Sequence, residues 1–125
     1  MRIESERDIE GLRTAGRAVA RTLAEMLEAA EPGVSTATLD AIGAAALDRH
    51  GARSAPRSVY EFPGETCISI NEEAAHGIPG ERILAPGDVV NVDVSAVLDG
   101  YFGDTGATIV VPPSDAAKDR MCATA

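Results

Sequence analysis

The side chains best suited to metal chemistry in this sequence are two aspartates, Asp93 and Asp104, each set in a run rich in β-branched residues. If the two runs pair as a hairpin, the carboxylates lie diagonally across one face with their Cα atoms roughly 7–8 Å apart, where like charges repel. A divalent cation between them would reverse the sign of that interaction, because hard oxygen ligands neutralise and hold such ions. A closed metal site needs about four to six donors, so further ligands must come from elsewhere in the fold.

The hairpin is predicted from Asp99-Gly100, which separates alternating runs at residues 89–97 and 101–111. A two-residue turn of type I′ needs positive φ at both central positions, and Asp-Gly meets that need. The expected cross-strand pairs are Leu98 with Tyr101, Val97 with Phe102 and Ser95 with Asp104. Because side chains alternate along a strand, Asp93 falls on the same face as Ser95.

The same residues have a plainer explanation. Asp, Ser and Asn alternating with Val are typical of any hairpin that has one face in water. A β-bulge near Gly103 or Gly106 would also shift the register and move one acid to the opposite face. The spacing alone therefore leaves both a metal site and an ordinary solvated face open.

Two helices are predicted ahead of the hairpin, to pack against its sheet. The first covers residues 5–31, with Ser5 as N-cap, a helical stripe of apolar residues and Pro32-Gly33 after it. The second follows the N-cap Ser35 and stops at Gly51, a residue suited to a left-handed position after a helix. The predicted fold class is α+β, with two helices and an antiparallel β-sheet.

The segment between the second helix and the hairpin is less regular. Residues 52–65 are expected to form a loop or irregular strand, and residues 66–70 a short strand. Residues 71–87 form a long turn-rich connection, and such loops are often functional. They contain His76, which would be solvated like most loop histidines except that it lies just before the acidic hairpin. His50, in the last turn of the second helix, suits the helix dipole and is given a structural role.

Composition and charge exclude several classes of protein. Hydrophobic residues make up 45% and charged residues 25%, as in ordinary globular domains. The net charge of −9 argues against a nucleic-acid partner, because phosphate contacts need clustered Lys and Arg. No apolar run reaches membrane-spanning length, and the charged first ten residues are unlike a signal peptide. Cys67 and Cys122 lack a paired spacing, so free thiols in a cytoplasmic protein are expected.

Several ordered motifs resemble type I methionine aminopeptidase. They are Cys67-Ile68-Ser69-Ile70-Asn71-Glu72, His76-Gly77-Ile78-Pro79, Gly87-Asp88-Val89-Val90-Asn91-Val92-Asp93-Val94 and Gly100-Tyr101-Phe102-Gly103-Asp104-Thr105. Pro32-Gly33-Val34-Ser35-Thr36 and Leu39-Asp40 fit the same family in the same order. The His-Gly-Ile-Pro sequence separates type I enzymes from type II and proline-specific relatives, and the likeness covers nearly the whole chain.

The resemblance implies a pita-bread fold, in which two αβ halves related by a pseudo-twofold surround a two-metal site, with residues 1–125 as the amino-terminal half. Asp93 would bind one divalent ion and Asp104 would bridge both, the metal being Co, Mn, Fe or Zn. Ser95, opposite Asp104, is placed to orient its carboxylate. His76 would contact the substrate near the scissile bond and stabilise the transition state.

Cys67 and Phe62 match positions that line the methionine pocket of the family, and an apolar, polarisable wall suits a thioether. Without the resemblance, Cys67 would equally fit a buried strand residue. One departure is Ala75, where many members of the family carry cysteine before the His-Gly-Ile-Pro sequence. It leaves the ligands untouched and affects only the shape of the pocket.

The implied activity is metal-dependent removal of the initiator methionine from nascent proteins. The family's remaining ligands, one histidine and two glutamates, come from the second half of the fold, so these 125 residues are expected to be an incomplete and inactive piece. Neither His50 nor Glu72 or Glu73 could replace those ligands without a different geometry. Uncovered apolar faces would favour self-association or aggregation.

Two alternatives remain beside a peptidase half. One is a non-catalytic pita-bread module that binds a protein partner, and the other is a small acidic metal-binding domain unrelated to peptidases.

Overall fold

Across residues 2–125, which the computed structural model describes, the chain forms four helices and four strands. In chain order they are α1 (Glu6–Glu28), α2 (Thr36–Arg49), β1 (Arg53–Ser54), α3 (Ala55–Tyr60), β2 (Cys67–Ile70), β3 (Val89–Leu98), β4 (Tyr101–Val110) and α4 (Ala116–Thr124). The α+β class predicted from the sequence is confirmed. Two of the helices, α3 and α4, are additional to the two predicted before the hairpin.

The β3–β4 hairpin has the predicted register. Leu98 lies opposite Tyr101 and Ser95 opposite Asp104, and the pairing continues without a break to Val89 and Val110. The turn residues Asp99 and Gly100 have φ values of 51° and 84°, as a type I′ turn requires. The bulge that could have separated the two acids is therefore absent from the hairpin.

Strand β3 is the centre of an antiparallel sheet. Along one edge it pairs with β4 over its whole length. Along the other edge it pairs first with β2, where Cys67 lies opposite Asp93, and then with β1, where Ser54 lies opposite Ala96. Strands far apart in sequence are thus brought beside the acidic residues.

The hydrophobic core lies between one face of this sheet and helices α1 and α2. The largest fully buried side chains are Met26, Leu39, Leu47, Ile68, Ile70, Leu84, Val19, Val90, Val92, Val94, Val111 and Thr22. Burial of each such aliphatic side chain contributes about 1.5–3 kcal/mol. Because β3 alternates, Val90, Val92 and Val94 enter this core while Asp93 and Ser95 point to the opposite, partly exposed face.

The two long helices begin at the predicted caps, and α2 also ends as predicted. Ser5 caps α1 in a reciprocal capping box with Asp8, although the helix ends at Glu28, three residues before the predicted end. Ser35 caps α2 by accepting a hydrogen bond from the Thr38 amide. Gly51, with a φ of 68°, follows the end of α2 as expected.

The prediction of a loop or irregular strand over residues 52–65 was wrong in part, because α3 lies there. The Ser54 hydroxyl caps this helix by accepting a hydrogen bond of 3.2 Å from the Arg57 amide, and Pro56 lies in the first turn. Six residues are too few to show a helical period, so only the cap could have revealed α3. Helix α4 is capped by Asp115, whose carboxylate accepts hydrogen bonds from the Ala117 and Lys118 amides.

Within the described residues no helix is both long and apolar enough to cross a membrane.

Candidate metal and substrate site

The carboxylates of Asp93 and Asp104 lie on one face of the β3–β4 hairpin. Ser95 pairs with Asp104 across the strands, and its hydroxyl donates a hydrogen bond to Oδ1 of that carboxylate. Asp93 lies two residues before Ser95 on the same strand, opposite Gly106 of β4, so no side chain of β4 stands across from it. The two acids therefore share an open patch of sheet, and one of them is held by the serine.

The electrostatics of this patch are unfavourable to two negative charges. Partial burial raises the pKa of Asp93, and repulsion from the Asp104 carboxylate raises it further, while His76 acts in the opposite direction. Within the described part of the chain, no hydrogen bond offsets these effects at Asp93. A carboxylate with this environment is suited to bind a cation.

A cavity of about 650 Å³ lies over the acidic patch. Its walls are Ala55, Pro56, Val59, Tyr60, Phe62, Cys67, His76, Asp93, Ser95, Phe102, Gly103 and Asp104. All six residues proposed from the sequence for metal, substrate or orienting roles, namely His76, Cys67, Phe62, Asp93, Asp104 and Ser95, are among them. The structure thus brings them to one place, although they come from three strands and two loops.

Cys67 forms a buried part of the cavity wall. Its residue is only 6% exposed and lies opposite Asp93 in the sheet. Burial raises the pKa of the thiol, with smaller contributions from the nearby charges of Asp93 and Asp40. The neutral sulfur therefore offers a polarisable, weakly polar surface to whatever enters the cavity.

The segment leading into Cys67 is fixed by Asp40 of α2. Its carboxylate accepts hydrogen bonds from the amides of Glu65 and Thr66 and, at 2.7 Å, from the Thr66 hydroxyl. Hydrogen bonds to a charged acceptor are roughly twice as strong as neutral ones. The core helix α2 thereby sets where β2 starts.

His76 enters the cavity from the long connection between β2 and β3. Its backbone has a φ of 55°, in the left-handed region that few residues other than glycine adopt. The next residue, Gly77, is hydrogen-bonded to the outer edge of β2 through the Ile68 amide. The position of His76 thus depends on β2 rather than on regular structure of its own.

Sequence reasoning identified Cys67 and Phe62 in the cavity wall but missed three further large side chains, Phe102, Val59 and Tyr60. Phe102 could have been found, because it lies two residues before Asp104 and alternation puts both on one face. Val59 and Tyr60 belong to the helix α3 that was missed, so no signal beyond the Ser54 cap pointed to them. These three side chains are 56%, 52% and 79% exposed, respectively.

Asp93 and Asp104 are of the ligand type that a divalent cation prefers, but they are too few to hold one by themselves. Carboxylate oxygens are the ligands that hard divalent ions prefer. However, residues 2–125 contain no cluster of three or more His, Cys, Asp or Glu side chains that could hold an ion. The hairpin therefore offers two oxygen-bearing side chains toward a site that needs more.

Comparisons with known proteins agree with this geometry. Methionine aminopeptidase 2 from Bacillus subtilis is 48% identical over 98% of this chain, and methionine aminopeptidase from Staphylococcus epidermidis is 46% identical over the same share. The chain spans about half the length of both relatives, 49% in each case.

Solved structures of methionine aminopeptidases are also similar to this chain over about half of their length. The crystal structure of methionine aminopeptidase from Rickettsia prowazekii matches 98% of this chain and 50% of its own with a TM-score of 0.92 and 34% identity. Prolidase from Pyrococcus furiosus, at 20% identity and a TM-score of 0.77, shares the fold. The amino-terminal half of a pita-bread fold, expected from the sequence motifs, is confirmed.

The pattern of metallopeptidase family M24 matches residues 10–125, which include the whole hairpin and the cavity wall. The chain therefore belongs to metallopeptidase family M24.

Proposed function

We propose that residues 1–125 are the amino-terminal half of a methionine aminopeptidase-like catalytic domain, which removes the initiator methionine from nascent proteins in the cytoplasm. The observation that carries the proposal is the convergence of Asp93 and Asp104 on one hairpin face, inside a cavity that also contains His76 and Cys67. The likeness of the whole chain to half of methionine aminopeptidases from several bacteria supports the same activity.

In this proposal Asp93 binds one divalent ion and Asp104 bridges two, with Co, Mn, Fe or Zn as the metal. The Ser95 hydroxyl donates a hydrogen bond to the Asp104 carboxylate and would orient it as a metal ligand. When bound, two cations lower the pKa of a shared water and polarise the substrate carbonyl. The remaining ligands come from residues outside this chain, because two carboxylates are too few.

The composition of the cavity wall supports a preference for an N-terminal methionine. Cys67 and Phe62 take the methionine side chain, since a neutral thiol and an aromatic ring suit a thioether. His76 hydrogen-bonds the substrate beside the scissile bond, where a fixed donor stabilises charge that develops in the transition state. The net charge of −9 suits a partner that presents an ammonium group, such as a peptide N-terminus, and disfavours nucleic acid.

The activity is tested with the longest form of the protein that the gene encodes, supplied with Mn²⁺ or Co²⁺. Methionine release from Met-Ala-Ser is expected, with at least about tenfold lower turnover of Leu-Ala-Ser and no cleavage of Xaa-Pro dipeptides. Asp93→Ala should abolish release. Preferred cleavage of Xaa-Pro dipeptides would contradict the assignment of substrate.

The cavity side of the sheet also favours association of the isolated 125-residue chain with itself. Phe102, Val59 and Tyr60 are more than half exposed around the cavity, and such patches mark interaction surfaces. Sedimentation should therefore show association that increases with concentration and is reduced by Phe102→Ser. A sharp, concentration-independent melting transition of a monomer would contradict this part of the proposal.

A further inference from the structure

We propose that Ser69 is a positioning residue that sets the place of His76 in the cavity, acting through a hydrogen bond to the backbone of Gly77. This inference rests on the proposed role of His76 at the scissile bond and adds the part of the fold that holds it. Ser69 itself does not line the cavity.

His76 has no regular structure of its own to hold it. It lies in a connection without helix or strand, and its φ of 55° is not a conformation that the chain adopts readily at a non-glycine residue. A backbone conformation of this kind persists only where neighbouring contacts determine it. The contacts next to His76 therefore fix its backbone and, with it, the point from which its side chain enters the cavity.

Those contacts join Gly77 to the outer edge of β2. The Gly77 carbonyl accepts a hydrogen bond of 3.0 Å from the Ile68 amide, and the Gly77 amide donates one of 3.0 Å to the Ser69 hydroxyl. A Cβ at position 77 would lie 2.0 Å from the Ile68 carbonyl oxygen, so only glycine lets the loop approach this closely. Strand β2 thus binds both the N–H and the C=O group of Gly77, the first through a side chain and the second through its backbone.

Ser69 is fixed in turn by the sheet that carries the metal-binding candidates. It is 3% exposed and pairs with Asn91 of β3, two residues from the pair between Cys67 and Asp93. A buried hydroxyl in a strand has little freedom to move, so its hydrogen bond is a rigid link. The link connects His76, through Gly77 and Ser69, to the strand that bears Asp93.

A second attachment holds the loop further along and provides a matched control. The Thr36 hydroxyl accepts a hydrogen bond of 2.8 Å from the Gly80 amide, four residues after His76. Thr36 is 3% exposed, as Ser69 is. Loss of this hydroxyl should loosen the loop near Gly80 and leave His76 in place.

The test compares Ser69→Ala with Thr36→Val in the longest form of the protein that the gene encodes. One hydrogen bond is worth roughly a tenfold change in an equilibrium constant, so Ser69→Ala should speed hydrogen exchange of the Gly77 amide about tenfold. The same variant should change the NMR signals of the His76 imidazole. It should also lower kcat for Met-Ala-Ser about 3- to 10-fold with unchanged metal content, whereas Thr36→Val should leave kcat and His76 unaffected.

A double-mutant cycle decides whether Ser69 acts through His76. In a His76→Ala background, Ser69→Ala should cause no further loss of kcat. An equal loss with and without His76, or unchanged His76 signals in Ser69→Ala, would overturn the inference. If the parent protein releases no methionine, the proposed function fails while the exchange and NMR results still decide the positioning role.

Discussion

The two faces of the β3–β4 hairpin perform different tasks with the same strands. Val90, Val92 and Val94 are fully buried against the helices, while Asp93 and Ser95, between and beside them, face a cavity on the other side. Because direction alternates at every residue, neighbours one position apart contribute to stability or to the site but not to both. The two properties should therefore change independently.

Two aspartates on opposite sides of the hairpin show how the two faces differ in the environment that they give to a carboxylate. Asp8, on the helix side, accepts hydrogen bonds from the Glu4 and Ser5 amides and from the Tyr101 hydroxyl, and these lower its pKa, the Glu4 amide most. Asp93 has a raised pKa, because burial and Asp104 disfavour its charge. Asp8 is a carboxylate whose charge is satisfied by hydrogen bonds, whereas the charge of Asp93 has no such partner among the described residues.

The largest effect is expected from Asp104→Asn on the cavity face. Loss of the bridging charge should lower kcat/KM at least about 10³-fold and remove bound metal, which element analysis measures. His76→Ala should cost less, because it removes one contact to the transition state. Asp99→Asn is the control, since that acid lies in the turn and asparagine tolerates its φ of 51°. Equal metal content in Asp104→Asn and the parent would contradict the ligand assignment.

The next comparison sets Val92→Ala against Asp93→Ala, two neighbours on one strand. Val92 is fully buried, so its truncation should lower the free energy of unfolding by about 2 kcal/mol and leave metal affinity unchanged. Asp93→Ala should abolish metal binding and shift stability of the metal-free protein by less than about 0.5 kcal/mol. Urea titration measures the free energy of unfolding, and calorimetry measures metal affinity. If either variant lowered both quantities, the two faces of the hairpin would not have separate roles.

Two glycines, Gly103 on β4 and Gly16 on α1, test how tightly the helix packs on the sheet. A Cβ at Gly103 would lie 2.7 Å from the Ala15 carbonyl oxygen, so Gly103→Ala should move α1 from β4 and cost about 1–3 kcal/mol. At Gly16 a Cβ would meet nothing within 4 Å, so Gly16→Ala should stabilise the helix by about 0.5–1 kcal/mol. Thermal melting distinguishes the two, and equal stabilities would show that α1 does not pack tightly on the strand.

The smallest effects concern pH. The lowered pKa of Asp8 means that its contribution to stability is present above the unfolded value of 3.8 and is lost as pH falls toward the folded pKa. The raised pKa of Asp93 gives the opposite sign, with stability present below 3.8 and lost as pH rises through the folded pKa.

In the metal-free protein, Asp8→Asn should therefore destabilise most at neutral pH, whereas Asp93→Asn should raise stability there. Denaturant titrations at pH 3 and pH 7 measure both differences. Changes of the same sign in the two variants would show that their environments are alike.

Local signals explain why the hairpin could be predicted from the sequence. Asp99-Gly100 fixed the turn type, and the turn fixed every cross-strand pair down to Ser95 and Asp104. The helix caps at Ser5 and Ser35 were predicted correctly for the same reason, because a cap depends on residues close together in sequence.

Contacts between distant segments could not be predicted in this way. Nothing in the spacing indicated that β2 pairs with β3 at Asp93, or that Gly77 joins the outer edge of β2. His76 was selected because the motif around it resembles a known family, since a loop histidine carries no periodic signal. Helix α3 was missed because a six-residue helix depends on its cap and its packing rather than on a stripe.

We propose above all that Asp93 and Asp104 bind a shared metal ion. This proposal is tested most directly by anomalous scattering from Mn²⁺ in crystals of the longest form of the protein that the gene encodes. We expect an anomalous peak within bonding distance of carboxylate oxygens from both aspartates. Manganese bound elsewhere, or bound to one of these carboxylates with the other turned to solvent, would contradict the proposal.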